Sequence, residues 1–136
     1  MKVQGLSPKL PLSLDSADGY TLIKTHKAMI KQNLKMLLLT SPGERVMEPR
    51  FGVGLRAYLF EQNISLTHNE IETKINEQLN LYMPYVEIVE LSFNDASENP
   101  NLSENYLNIK LDYFVKPLEE LDVVDLDFDF SKQLFI

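Results

Sequence analysis

The chain has 136 residues, 44% of them hydrophobic and 24% charged, which is enough apolar material for one packed domain and too much for a disordered chain. It has no cysteine and only two histidines, His26 and His68, so disulfides, thiolate metal sites and cysteine nucleophiles are excluded and a histidine relay has little to draw on. The net charge of −7 is uneven: residues 1–68 hold nine Lys/Arg against five Asp/Glu, residues 69–136 four against fifteen. An acidic surface repels phosphate backbones, and polarised charge suits contact with other proteins. The longest aliphatic run, residues 36–39, is four residues long, against the roughly 20 of a bilayer span. Residues 1–5 lack the apolar stretch of a signal peptide. The expectation is a soluble protein with no nucleic-acid or membrane partner.

Residues 1–19 read as an extended arm, because Pro8 and Pro11 cannot donate to a ladder or sit inside a helix. Its Leu6, Leu10, Leu12 and Leu14 must lie against either the chain's own core or a neighbour. A helix is expected over residues 20–40, with Asp15, Ser16 and Asp18 offering N-cap oxygens and Ile23, Ile30, Leu34, Leu37 and Leu38 at helical spacing. Lys24, Lys27, Lys31 and Lys35 form a basic row along one edge, either a solvated rim or a docking strip for an acidic partner. Pro42-Gly43 ends the helix.

A short irregular passage follows, then Leu55, Tyr58 and Leu59 at the spacing of a single short helix. Thr67 and Glu70 form a capping box, with Leu66 and Ile71 as its hydrophobic staple, and open a second long helix. Its buried face is Ile71, Ile75, Leu79 and Tyr82, and Pro84 ends it. Residues 86–93 read as a strand whose phase changes between Ile88 and Val89, which predicts a bulge. Residues 95–103 read as a loop. Leu107, Ile109, Leu111, Tyr113 and Val115 alternate with polar residues in the clearest strand of the chain. Val124, Leu126, Phe128 and Phe130 alternate with aspartates through a last candidate strand. The fold class is therefore α+β, with an N-terminal helix, a short helix and a second long helix packed on a small antiparallel β-sheet. The expected domain is residues 20–116, with residues 117–136 an acidic tail that could add a strand.

Catalytic and metal chemistry is mostly missing. Asp125, Asp127 and Asp129 have the first spacing of a calcium loop, but Phe130 and Ile136 stand where its glycine and glutamate belong. No metal or other cofactor is expected. Gly52-Val53-Gly54 lacks the third glycine and the preceding strand of a phosphate loop. Glu44 and Glu48 are too far apart in an extended segment to flank a glycosidic bond. Arg45 and Arg50 beside them favour the charged carboxylate, opposite to what a general acid requires.

What stands out is Glu48-Pro49-Arg50, flanked by Arg45, Phe51 and Arg56. Proline stiffens the backbone, so a carboxylate and a guanidinium are presented from a nearly fixed frame. An internal salt bridge is the plainer alternative.

The run from Leu37 to Leu55, which includes Thr40-Ser41-Pro42-Gly43-Glu44-Arg45 and Glu48-Pro49-Arg50-Phe51-Gly52, continues to Leu59-Phe60-Glu61. It resembles the signature of the lysozyme-like baseplate wedge family of contractile phage tails and type VI secretion systems. The similarity covers about residues 20–116. The resemblance implies a structural, non-enzymatic virion tail protein of the baseplate, assembled in the host bacterial cytoplasm. It implies that Glu48, Pro49 and Arg50, with Arg45, Phe51 and Arg56 around them, contact the bundle of the larger baseplate wedge subunits. It implies too that the hairpin, through Val89, Leu91, Phe93, Leu107, Ile109, Leu111 and Tyr113, templates the first ring of tail sheath protein by β-strand addition, with tail tube or hub proteins as further candidate partners. Two other classes compete: a peptidoglycan hydrolase using Glu44 or Glu48, and an anti-adaptor-like regulatory binding protein.

Overall fold

The computed structural model describes residues 4–58, 65–95, 106–129 and 134–135, and divides into two compact units, residues 1–36 and 37–136. Among the described residues the elements are α+β in kind: three helices and short and long antiparallel strands.

The first unit holds two minimal antiparallel ladders. Strand β1 (Ser7–Pro8) pairs with β4 (Leu22–Ile23), and β2 (Leu14–Asp15) pairs with β3 (Gly19–Tyr20). Asp15 accepts the Ala17 N–H at 3.2 Å, and Gly19 takes φ of 81°, so the turn between β2 and β3 uses an Asx-type bond and a glycine. The sequence reading put residues 20–25 in a helix; they are strand and turn instead. Local caps lose here because the arm folds back and takes their backbone groups: Lys9 N–H donates to Thr21 O and Thr21 N–H to Ser13 O, both at 2.8 Å. Helix α1 (His26–Leu39) starts only after that, with Thr25 as its N-cap, whose hydroxyl accepts the Ala28 N–H at 3.3 Å. The Gln32 side chain, on α1, holds the arm at both ends of its amide, accepting from Leu10 N–H at 2.9 Å and donating to Pro8 O at 3.1 Å. Of the lysine row, Lys24 pairs with Asp18 at 3.2 Å. Leu6, Leu10, Leu12 and Leu14 all stay exposed.

In the second unit the end of α1 buries Leu37 and Leu38. Helix α2 is the single turn Leu55–Tyr58, and Leu59 lies outside the described residues. Helix α3 is Ser65–Tyr82, three residues longer at its start than a Thr67 N-cap indicated, so Thr67 sits buried within the first turn. Ile71, Ile75 and Leu79 form its buried stripe as expected, and Gln78 lies buried among them. Pro84 follows the helix end, where Val86 N–H donates to Met83 O in a turn.

The sheet order is β5 (Val86–Asp95), β6 (Tyr106–Val115), β7 (Glu120–Asp129) and β8 (Leu134–Phe135), each antiparallel to the next. The predicted bulge is present, as a register shift between Ile88 and Glu90. The alternation in residues 106–115 buries Leu107, Ile109, Leu111, Tyr113 and Val115 on the core face, opposite Val124 and Leu126 of β7. Of the aspartate run, Asp125 and Asp127 both accept from the buried Asn108 amide, the latter at 2.6 Å. These carboxylates bond across to a side chain of the neighbouring strand, and no group of three metal-ligating side chains is found among the described residues. The expected loop at 95–103 lies mostly outside the described residues.

Tyr113 is fully buried and its hydroxyl donates to Asp122 Oδ2 at 3.1 Å. Burial first, then the charge and hydrogen bond of Asp122, push that hydroxyl well above its ordinary value of 10.0. The folded state therefore keeps this proton at pH values where the unfolded chain releases it. Its contribution is complete below about pH 10 and is lost as pH rises beyond. Thermal melts between about pH 9 and 11 should show Tm falling with pH, and Tyr113→Phe should flatten that slope.

Candidate functional site

The segment from residue 41 to 54 leaves α1, turns, and returns to cap the helix it came from. Ser41 N–H donates to the Glu44 carboxylate at 2.9 Å, and Glu44 N–H donates to Ser41 O at 3.1 Å, closing the Pro42-Gly43 turn. Gly43 N–H donates to Pro49 O at 2.7 Å, which cinches the loop at its base. Val53 and Gly54 N–H groups then donate to Leu37 O and Thr40 O, both at 3.0 Å. They satisfy carbonyls that the end of a helix leaves without partners. Gly52 is required for this return: its φ is 115°, and a Cβ there would stand 2.0 Å from Thr40 O.

Behind the loop stands α3. Gln78, 3% exposed, accepts the Gly52 N–H at 2.9 Å and donates to Arg50 O at 3.1 Å. One buried amide therefore pins the backbone on both sides of Phe51. The Phe51 ring meets Tyr82 edge to face at 5.0 Å between centroids. Arg45 lays its guanidinium 3.8 Å above the same ring. Glu48 accepts the Tyr82 hydroxyl at 2.8 Å. Partial burial, then Glu48's hydrogen bond and charge, make that hydroxyl harder to ionise than usual, while Arg50 opposes them.

The structure thus brings Arg45, Glu48, Pro49, Arg50 and Phe51 into one braced loop, while Arg56 is on α2 and exposed. The alternative of an internal salt bridge tying the loop to the helices is not what Glu48 makes: its carboxylate accepts the Tyr82 hydroxyl of α3, and Glu48 and Arg50 are both exposed. Two residues beyond the sequence-derived set share the site. Val46 is 92% exposed and Met47 94% exposed, at the tip of the loop. Large apolar side chains held fully in water on a rigid frame are what a protein partner would cover. Their exposure had no sequence signal, since an apolar pair reads as core. Gln78 did have one, because it falls four before Tyr82 and three after Ile75, on the apolar stripe.

Of the two hairpin strands expected to offer an edge, only β5 has one among the described residues. Val89, Leu91 and Phe93 lie on it, with Val89 at the bulge and 60% exposed, and Phe93 stacked on His68 of α3 at 4.1 Å. Leu107, Ile109, Leu111 and Tyr113 belong to β6, which is paired along both sides by β5 and β7. Its backbone groups are committed and these side chains are buried.

The profile of the family described as baseplate wedge protein gp25 matches residues 24–117, more than half of the chain. The chain belongs to the gp25 family of baseplate wedge proteins. That membership gives it a structural place in a baseplate beside other baseplate subunits. Solved structures share its fold. A crystal structure from Geobacter sulfurreducens, of a protein called a tail lysozyme, is 24% identical over 84% of this chain and 99% of that one, with a TM-score of 0.65. A chain of the anti-feeding prophage baseplate is 20% identical over 80% of this chain and 83% of its own, with a TM-score of 0.65. A chain of the type VI secretion system baseplate complex is 14% identical over 74% and 89%, with a TM-score of 0.53. No curated protein sequence matches the chain.

Proposed function

We propose that this gp25-family chain is the wedge subunit that starts sheath assembly in a contractile tail. It docks on the larger wedge subunits through residues 45–51 and offers the β5 edge to a strand of the tail sheath protein. Tail tube or hub proteins stand alongside, and the particle is put together in the host bacterial cytoplasm. The role is recognition rather than catalysis. Glu44 is engaged in capping Ser41 N–H, and Glu48 is engaged by Tyr82, so the two carboxylates serve the loop's own geometry.

The observation that carries this reading is the division of labour within the loop. Gln78 and Tyr82 grip its inner side, Tyr82 through the Glu48 carboxylate, while Val46, Met47 and Arg50 are displayed outward. A loop fixed from behind loses little conformational entropy on binding, which makes a small set of contacts worth more. Sheath templating falls to β5, since its outer ladder groups have no strand partner among the described residues.

The test is Arg50→Ala. With its side chain exposed, the variant should melt within about 0.5 kcal/mol of the parent. On co-expression with the larger wedge subunits it should fail to enter the wedge complex by size-exclusion chromatography. Intact wedges carrying Arg50→Ala would refute the assigned role of the loop.

A further inference from the structure

The side of the sheet away from the core carries a charge pattern that the docking loop does not use. Register sets its membership: Glu87, Glu90, Ser92 and Asn94 of β5 stand opposite Phe114, Asp112, Lys110 and Asn108 of β6. Glu90 and Asp112 form a directly opposed cross-strand pair, and like charges so placed destabilise a ladder. Asp112 Oδ1 is buried and accepts no hydrogen bond among the described residues. Buried carboxylate oxygens are ordinarily bonded. Lys110 faces Ser92 on one side and Asp125 on the other, one register step from the Glu90–Asp112 pair. The core side of the same edge is apolar, with Ile88, Leu91 and Phe93 each only half-buried because no strand lies beyond β5 among the described residues.

We propose that the strand received by the β5 edge is two-faced, with lysine or arginine on the side it shares with Glu87, Glu90 and Asp112 and aliphatic residues on the side it shares with Ile88, Leu91 and Phe93. This rests on the strand-addition reading above and adds the chemistry of the occupant. An incoming ladder supplies main-chain partners to β5, and its alternate side chains fall beside the two faces in turn. A cation next to Glu90 and Asp112 relieves their repulsion. An anionic or neutral residue there leaves both as they are. Backbone pairing thus supplies attachment, and the acidic face selects which strand attaches.

Three eight-residue peptides test it against the full chain by isothermal titration calorimetry: alternating Lys/Val, Thr/Val and Glu/Val. Lys/Val should bind about tenfold more tightly than Thr/Val, with Glu/Val weakest. That advantage should shrink in about 0.5 M NaCl, where the Debye length is about 4 Å. The double variant Glu87→Lys/Glu90→Lys, altered at exposed positions, should reverse the order. A Lys/Val peptide N-methylated at alternate amides keeps its charge but cannot pair, and it should not bind. Equal affinity for all three unmodified peptides overturns the cationic occupant while leaving strand addition standing. Failure of all three to bind overturns strand addition itself. Equal binding of the N-methylated peptide shows simple charge attraction and overturns the proposal, as would amide shift changes in the bound state confined to β7.

Discussion

Gly52→Ala is expected to cost the second unit a large share of its stability. The new Cβ would stand 2.0 Å from the Thr40 carbonyl oxygen, on backbone with φ of 115°. Neither partner can yield cheaply, because Thr40 O already accepts Gly54 N–H and Gly52 N–H is held by the buried Gln78. A residue forced into such a conformation costs about 1–3 kcal/mol, and overpacking about 1–3 more. Against a total near 5–15 kcal/mol, a loss of about 4 lowers Tm by about 15 °C. Gly43→Ala is the matched control. It also has positive φ, 87°, but nothing lies within 4 Å of its Cβ, so it should lose only the conformational part, about 1 kcal/mol. Comparable losses at both positions, read by thermal or urea melts, would show that the close return of the loop onto α1 does not matter.

The second large effect is on binding and leaves the fold alone. Val46→Asp with Met47→Asp changes two side chains that are 92% and 94% exposed, so Tm should move by less than about 0.5 kcal/mol equivalent. If the loop docks through its tip, those two side chains fill the partner's pocket, and desolvating two aspartates there costs about 3 kcal/mol or more. Affinity for the larger wedge subunits should then fall by a factor of about 100 or more. Full wedge affinity in the double variant would move the docking surface off the loop tip. Together with Arg50→Ala, the pair separates an apolar anchor from a charged one.

Much of this was legible along the chain. The stripe of α3, the alternation of β6 and the bulge after Ile88 each follow from the burial of one element's own face, and periodicity records that directly. The motif around Glu48-Pro49-Arg50 was legible as well, because proline and the glycines fix local backbone. Residues 20–25 were misread as helix because their caps and apolar residues satisfy a helical pattern locally. The arm's return then supplied ladder partners that a local pattern cannot register. Thr67 was placed at the helix start on a capping-box match that the true start, at Ser65, precedes.

The sequence by itself determined the α+β class, the identity and phase of the long elements, and the stiff loop between two helices. These depend on the residues within a few positions of one another. Only the tertiary structure decided that Gln78 and Tyr82 brace that loop, across 26 to 34 residues of chain. It also decided that Val46 and Met47 face solvent, and that β6 is paired on both sides while β5 has no second strand partner among the described residues. The physical reason is that a strand's alternation reports which of its faces is buried but says nothing of how many neighbours its backbone has. That number is set by where the rest of the chain comes to lie.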